Sequence, residues 1–246
     1  MTLHGATVVR VAAPDYAMMK HRLLELAPRF GLRIVSGNGP IRVEGYKLTA
    51  FEMVEQMDGD VPDFVAVPTS ACGHIRGIFK GYRELKQAGI ISHLPRMIIV
   101  QARNNSPIVS AIKQGKEEII PFRDPHTVAE AITTGNPRGG GELIQKAQEF
   151  GWLVEDVSEE EILASQRRLA ASGYFVEPAS ATSLFAVKKL RESGRIADGE
   201  SVVLMLTGSG LKDPDVLQRH RLEVLESDLD AIEADLEAIL SRIREG

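Results

Sequence analysis

The chain has 246 residues, 43% hydrophobic and 26% charged, enough for one large α/β domain or for one domain plus a fragment. A formal charge of −5 with no basic block argues against nucleic acid as a partner, since phosphate-backbone binding needs clustered Lys and Arg. The single cysteine, Cys72, excludes a disulfide framework, no segment is apolar over a membrane's width, and MTLHGATVVRV lacks the pattern of a signal peptide, so a cytoplasmic protein is expected, with no membrane partner.

Taken in order, the β-branched run Thr7–Val11 reads as a strand. Asp15 suits the N-cap of a helix from about Tyr16 to Phe30, with Leu23, Leu24, Leu26 and Phe30 on its apolar side. Leu32–Val35 reads as a second strand, Ser36–Pro40 as a turn cluster, and Ile41–Val43 as strand-like. A helix from about Leu48 to Met57 carries Ala50, Phe51 and Val54 inward.

Val61–Lys86 reads as strand, tight loop and helix. Phe64–Val67 is a short apolar run bounded by Pro62-Asp63 and Pro68, as expected of a strand buried on both faces. Thr69 to Gly73 are all small, and Ile75, Ile78, Phe79, Tyr82 and Leu85 recur at helical spacing. Such a loop leaves backbone N–H groups free at a helix start, an arrangement suited to phosphate. It suits equally well a tight turn that needs small side chains only for packing.

Met97–Ala102 is another buried strand, and Ser106-Pro107 opens a helix with proline in its first turn. Lys113–Pro125 is polar and reads as a surface connection; His126–Ile132 reads as a short helix, followed by the flexible Thr134–Gly141. A helix from Glu142 to Phe150, a strand Trp152–Val154 and a helix from Ser158 to Ala171 follow, Ser158 with Glu161 forming a capping box. Tyr174–Ala181 leads into a helix ending near Leu190, and the apolar strand Ser201–Leu206 stops at Thr207-Gly208-Ser209-Gly210. The alternation predicts an α/β fold, a parallel sheet with helices on both faces, whose ligands sit at the C-terminal ends of strands. Two small-residue loops fall there, after Val67 and after Leu206.

The tail differs. Leu222, Leu225, Leu229, Ile232, Leu236, Ile239 and Ile243 form an a/d seam over three heptads, with acidic flanks from Glu223 to Glu237. It predicts an amphipathic C-terminal helix packed either on its own domain or against a second chain.

Several collinear stretches resemble threonine synthase, a pyridoxal-phosphate enzyme of the tryptophan-synthase β fold (fold type II). They are Pro40–Lys47 with Ala50-Phe51-Glu52, the Val67-Pro68 loop leading to Gly81, Pro95-Arg96 with Gln101-Ala102, and Ala131-Ile132 with Gly135-Asn136-Pro137. Glu177–Ala181 and Leu206–Asp213 complete the set, which spans roughly residues 5 to 215. The resemblance implies the large domain of such an enzyme over 41–214 and a remnant of its small domain (strand–helix–strand) over 1–40; the heptad pattern adds the C-terminal helix over 215–246. It implies pyridoxal phosphate as cofactor, with the Thr69, Ser70, Ala71, Cys72, Gly73 and His74 loop on the phosphate through backbone N–H groups. Thr207 would face the pyridine nitrogen and Glu177 would sit near the ring. Read without the resemblance, Glu177 caps a helix and Thr207 satisfies a turn.

Two departures qualify the match. The family's loop is rich in glycine and asparagine, whereas Ala71 and Cys72 here add side chains and disfavour positive φ. The family's Ser-Phe-Lys-Asp-type motif, whose lysine forms the Schiff base, does not occur, so no catalytic residue is identified, and no metal site is expected. One reading is a subunit of a split lyase acting on O-phosphohomoserine or a related amino acid, with a separate chain supplying the N-terminal half and the tail helix making a homo- or hetero-oligomer. Another is a non-catalytic oligomeric binding or regulatory relative; a third is an incomplete gene product.

Overall fold

A four-stranded parallel sheet lies within the larger of two compact units, Met1–Pro214; the smaller is Asp215–Gly246. The computed structural model describes residues 2–12, 16–35, 39–220, 222 and 224–245. The expected N-cap Asp15, residues 36–38 of the turn cluster, Glu223 and the side chain of Ile243 lie outside that description.

In the first unit, α1 (Tyr16–Leu26) runs into a 3₁₀ turn, Ala27–Phe30. Then come α2 (Pro40–Tyr46), α3 (Leu48–Gln56), β1 (Phe64–Pro68) and α4 (Gly73–Gln87). β2 (Arg96–Ala102), α5 (Pro107–Lys113), α6 (Gly140–Phe150) and β3 (Leu153–Val157) follow. α7 (Glu159–Ala171), α8 (Pro178–Glu192) and β4 (Val202–Leu204) complete it. The expected capping box is present at α7, where Ser158 and Glu161 bond reciprocally.

The strand order is β3-β2-β1-β4, all parallel. The chain steps one way from β1 to β3, then crosses back to place β4 on the other side of β1. The order therefore reverses between β1 and β4, where open α/β sheets leave a crevice at the strands' C-terminal ends. Alternate residues feed two cores. Val65, Val67, Met97 and Ile99 pack with Ile75, Ile78, Phe79 and Tyr82 of α4 on one face. Phe64, Ala66, Ile98 and Val100 pack with Ile162 of α7 and Ala179, Ala186 and Leu190 of α8 on the other. Burial on both faces explains why these strands read as unbroken apolar runs.

The structure corrects five expectations. Thr7–Val11 and Leu32–Val35 form no strands; they are irregular and solvent-exposed, Val9 at 77% and Val35 at 90%. β-branched residues make a strand only where a neighbour completes the ladder, and none of the described residues does so here. Ile41–Val43 is helical, because Pro40 at the first position of α2 presets the helical φ. His126–Ile132 yields only a 3₁₀ turn, Glu130–Ile132. The Val128 and Ala129 amides bond instead to the Glu159 carboxylate and the Thr127 hydroxyl. In the second unit, α9 (Ile232–Glu245) is shorter than the expected seam. Leu222, Leu225 and Leu229 precede it, exposed and non-helical. Its first turn carries Glu233 and Asp235, where acids complement the helix dipole.

α4 is held by close backbone contact. A Cβ on Gly77 would overlap that of Tyr46 in α2, and one on Gly81 would overlap the Lys47 carbonyl oxygen and lie 2.8 Å from the Ala50 Cβ. Lys47 and Lys80 add ion pairs to Glu44 and Glu84 around the same contact. Gly77→Ala should therefore destabilise the fold by about 1–3 kcal/mol through overpacking. An unchanged urea midpoint would show that α4 has room to shift.

Candidate functional site

The loops after β1 and β4 face each other at the reversal point. Between them lies a cleft of about 650 Å³, lined by Thr69, Ser70, Ala71, Cys72, Gly73, His74, Glu177 and Thr207. All eight residues singled out in the sequence meet in this one cavity. Arg42 and Tyr46 of α2, Lys20 of α1 and Lys212 also line it, and sequence reasoning had not selected them.

The β1 loop is fixed from behind. The Thr69 amide donates to the Val100 carbonyl at 2.8 Å, and the Thr69 hydroxyl donates to the Val67 carbonyl at 2.8 Å. Gln101 is fully buried; its Nε2 donates to the Thr69 carbonyl at 3.2 Å, while its Oε1 accepts the Ile108 and Val109 amides at 3.0 Å each. One glutamine thus ties the loop to the start of α5 with both ends satisfied. Ser70 is pinned to Thr134 through their hydroxyls, 2.7 Å apart.

Cys72 is the N-cap of α4, and its side chain makes no capping bond. The first amides of this 15-residue helix have no intrahelical partner, so they stay available to the cleft. Contrary to the expectation that a side chain would disfavour it, Cys72 adopts a left-handed conformation, φ +72°. Its side chain turns inward, 2% exposed, against Gly139, whose own Cβ would lie 3.0 Å from that of Cys72. The missing side chain at Gly139 therefore makes room for the one at Cys72. Burial pushes the thiol up to about 12, so it is protonated and inert near neutral pH. His74 packs on Tyr46 at 4.9 Å between ring centroids with the rings tilted by 53°; burial, aided by Arg42, lowers its pKa, which favours the neutral ring.

Opposite the loop sits a second polar cluster. Glu177 occupies the N-cap position of α8, but its carboxylate does not cap the helix. It accepts the Thr207 hydroxyl at 2.8 Å and lies 3.5 Å from the Lys212 ammonium. Gly208 permits this, because a Cβ there would fall 2.6 Å from the Glu177 carboxylate carbon. Ser180, fully buried behind the cleft, accepts the Thr207 amide at 2.8 Å and the Gly208 amide at 3.1 Å. Its hydroxyl lies 2.9 Å from that of Thr207. Ser180 was missed in the sequence although Glu177–Ala181 was noted; its place one helical turn after Glu177 was the available signal.

The cleft fits a flat, phosphorylated heterocycle: uncapped helix amides for the phosphate at one wall, a hydroxyl and a carboxylate at the other. Among the described residues no group of three or more His, Cys, Asp and Glu side chains is placed to hold a metal ion, and no helix is long and apolar enough to cross a membrane.

Comparison with known proteins gives the family and the fold. The chain is 38% identical over 228 residues to threonine synthase of Methanocaldococcus jannaschii, covering 92% of this chain and 56% of that protein. It is 39% identical over 236 residues to the Methanosarcina acetivorans threonine synthase, covering 94% and 57%. The chain thus spans a little more than half the length of these curated relatives, consistent with a C-terminal portion. Among solved structures, threonine synthase from Escherichia coli superposes with a TM-score of 0.63 at 20% identity, covering 85% of this chain and 47% of that one. Serine racemase from Dictyostelium discoideum superposes at 0.65 and 18% identity, covering 85% and 62%. These shared folds place the sheet in fold type II. The model of the pyridoxal-phosphate dependent enzyme family matches residues 1–208, and the chain belongs to that family.

Proposed function

We propose that the cleft between the β1 and β4 loops holds pyridoxal phosphate, and that the chain is one subunit of a threonine synthase-like lyase acting on O-phosphohomoserine or a related amino acid. The observation that carries this reading is the convergence of Thr69–His74, Glu177 and Thr207 on one cavity at the point where strand order reverses. The Gly73, His74 and Ile75 amides would bind the phosphate, and Thr207 would meet the ring nitrogen, with Glu177 beside it. Bound pyridoxal phosphate supplies an electron sink for chemistry at an amino acid's α-carbon. The residues of this chain bind and orient it; the cofactor-bearing lysine comes from a separate polypeptide. Exposed apolar side chains support such a partner: Phe30 at 68%, Leu32 at 62%, Val35 at 90% and Ile41 at 89%.

A second reading is a non-catalytic relative that binds the cofactor or another small anion. The backbone at Cys72 favours it, since a strained left-handed non-glycine residue departs from the family's glycine-rich loop even though its side chain turns away from the cleft.

Titration of the purified chain with pyridoxal phosphate, followed by borohydride reduction and intact mass, tests both. Saturable binding without a covalent adduct is expected for the chain alone. An adduct confined to one lysine would contradict the need for a partner, and no saturable binding would overturn the cofactor reading. Thr207→Val should weaken binding about fivefold, the worth of one net hydrogen bond of ~1 kcal/mol. Unchanged affinity would remove Thr207 from the site.

We further propose that the apolar stripe of α9 joins two chains. Ile232, Leu236 and Leu240 are 47%, 49% and 49% exposed. Leu236→Asp combined with Leu240→Asp should lower the mass seen by light scattering; an unchanged mass would show that α9 takes no part in assembly.

A further inference from the structure

On the sheet face opposite α4, α7 and α8 leave between them a groove of about 840 Å³ that shares no residue with the cleft. Leu184, Phe185 and Val187 of α8 are half-buried there and make an apolar floor. Arg168, Lys188 and Arg191 stand exposed at its rim. Of the ten lining residues four are basic, and Glu192 alone is acidic. The Lys188 ammonium lies 4.9 Å from the centre of the Phe185 ring and 3.7 Å from Glu192, and Arg191 pairs with Asp198 at 2.6 Å. Arg168 makes no ion pair among the described residues. Beneath the groove the Ser165 hydroxyl, in a residue 2% exposed, has no hydrogen-bond partner among the described residues. An apolar floor, a surplus of positive charge and an unsatisfied buried hydroxyl mark a surface that receives something. Its complement is an apolar stripe edged with acids.

α9 has that character. Ile232, Leu236 and Leu240, at i, i+4 and i+8, form a stripe about half exposed. At about 3.6 residues per turn, Glu233 and Glu237 fall along one side of this stripe and Asp235 along the other. The lengths match as well. At roughly 1.5 Å per residue the stripe runs about 12 Å, and the α8 face from Leu184 to Arg191 runs about 10 Å.

We propose that α9 of one chain docks in the α7–α8 groove of a second copy of this chain. Its stripe lies on Leu184, Phe185 and Val187, and its acids face the basic rim. This inference rests on the reading that α9 joins two chains, and it names the surface that α9 meets. Two parallel α9 helices paired with each other would set acid beside acid, which opposes association. The groove sets the same acids against Arg and Lys. Mutual exchange of α9 about a two-fold axis closes the assembly at two chains.

The test is the mass of the full chain by light scattering, for the wild type and two charge reversals. The groove variant carries Arg168→Glu with Lys188→Glu, and the helix variant carries Glu233→Lys with Glu237→Lys. All four positions are exposed. The wild-type chain should be a dimer, and each variant alone should fall to half that mass. An equal mixture of the two variants should regain the dimer mass, because each then offers the charge that the other requires. That recovery also shows that both variants fold. Should the groove reversal not fold, Arg168→Ala with Lys188→Ala takes its place, with the same loss of mass expected. A groove variant that stays dimeric overturns the proposal; where Leu236→Asp with Leu240→Asp still lowers the mass, α9 keeps its part in assembly and only the groove falls. Monomeric variants whose mixture stays monomeric also overturn the proposal. A monomeric wild-type chain overturns both readings.

Discussion

Parallel pairing of β4 with β1 is the constraint on which the cleft depends. It joins Phe64–Ala66 to Val202–Leu204 across most of the chain. The pairing is locked at its N-terminal end by a reciprocal clamp over a separation of 138 residues. The Asp63 amide donates to the Ser201 hydroxyl at 3.0 Å, and the Ser201 amide and hydroxyl donate to the Asp63 carboxylate at 2.7 and 2.9 Å. These bonds lower the Asp63 pKa, so what they contribute is present above the ordinary aspartate range and lost as pH falls through the depressed value. At its other end the Met205 amide donates to the Ala66 carbonyl at 3.0 Å. The next residues on both strands are the walls of the cleft. Closing so long a loop costs chain entropy that only a sheet buried on both faces repays.

Much of this was legible in the sequence. β1 and β2 are apolar runs because both their faces are covered, and α4 shows its stripe because one face meets the sheet. The capping box at Ser158 is a local signal with local cause. Elements that failed depend on something nonlocal. Thr7–Val11 and Leu32–Val35 carry strand composition, but composition does not supply a neighbouring strand. The residues around Val128 lose helical bonds to Glu159, a carboxylate 31 residues away. At the site, the small-residue loops were visible as loops. Ser180 was not, because its role appears only when α8 is laid against the turn after β4.

The loop between β1 and α4 is a packing solution as much as a departure. A cysteine at a left-handed position costs backbone strain. It is accommodated because its side chain leaves the ligand side and fills the space Gly139 leaves open. The helix amides remain uncapped, so the feature that attracts an anion survives the change of side chains. The thiol, held at about 12 by burial, adds neither charge nor a nucleophile to the cleft. What the cleft offers is therefore backbone dipole at one wall and ordered hydroxyl and carboxylate at the other.

The most direct measurement is a crystal structure of the chain soaked in pyridoxal phosphate. The account predicts phosphate density within hydrogen-bond distance of the Gly73–Ile75 amides, with the ring nitrogen facing the Thr207 oxygen. Cofactor bound only at surface lysines, with the cleft empty of it, would contradict the account.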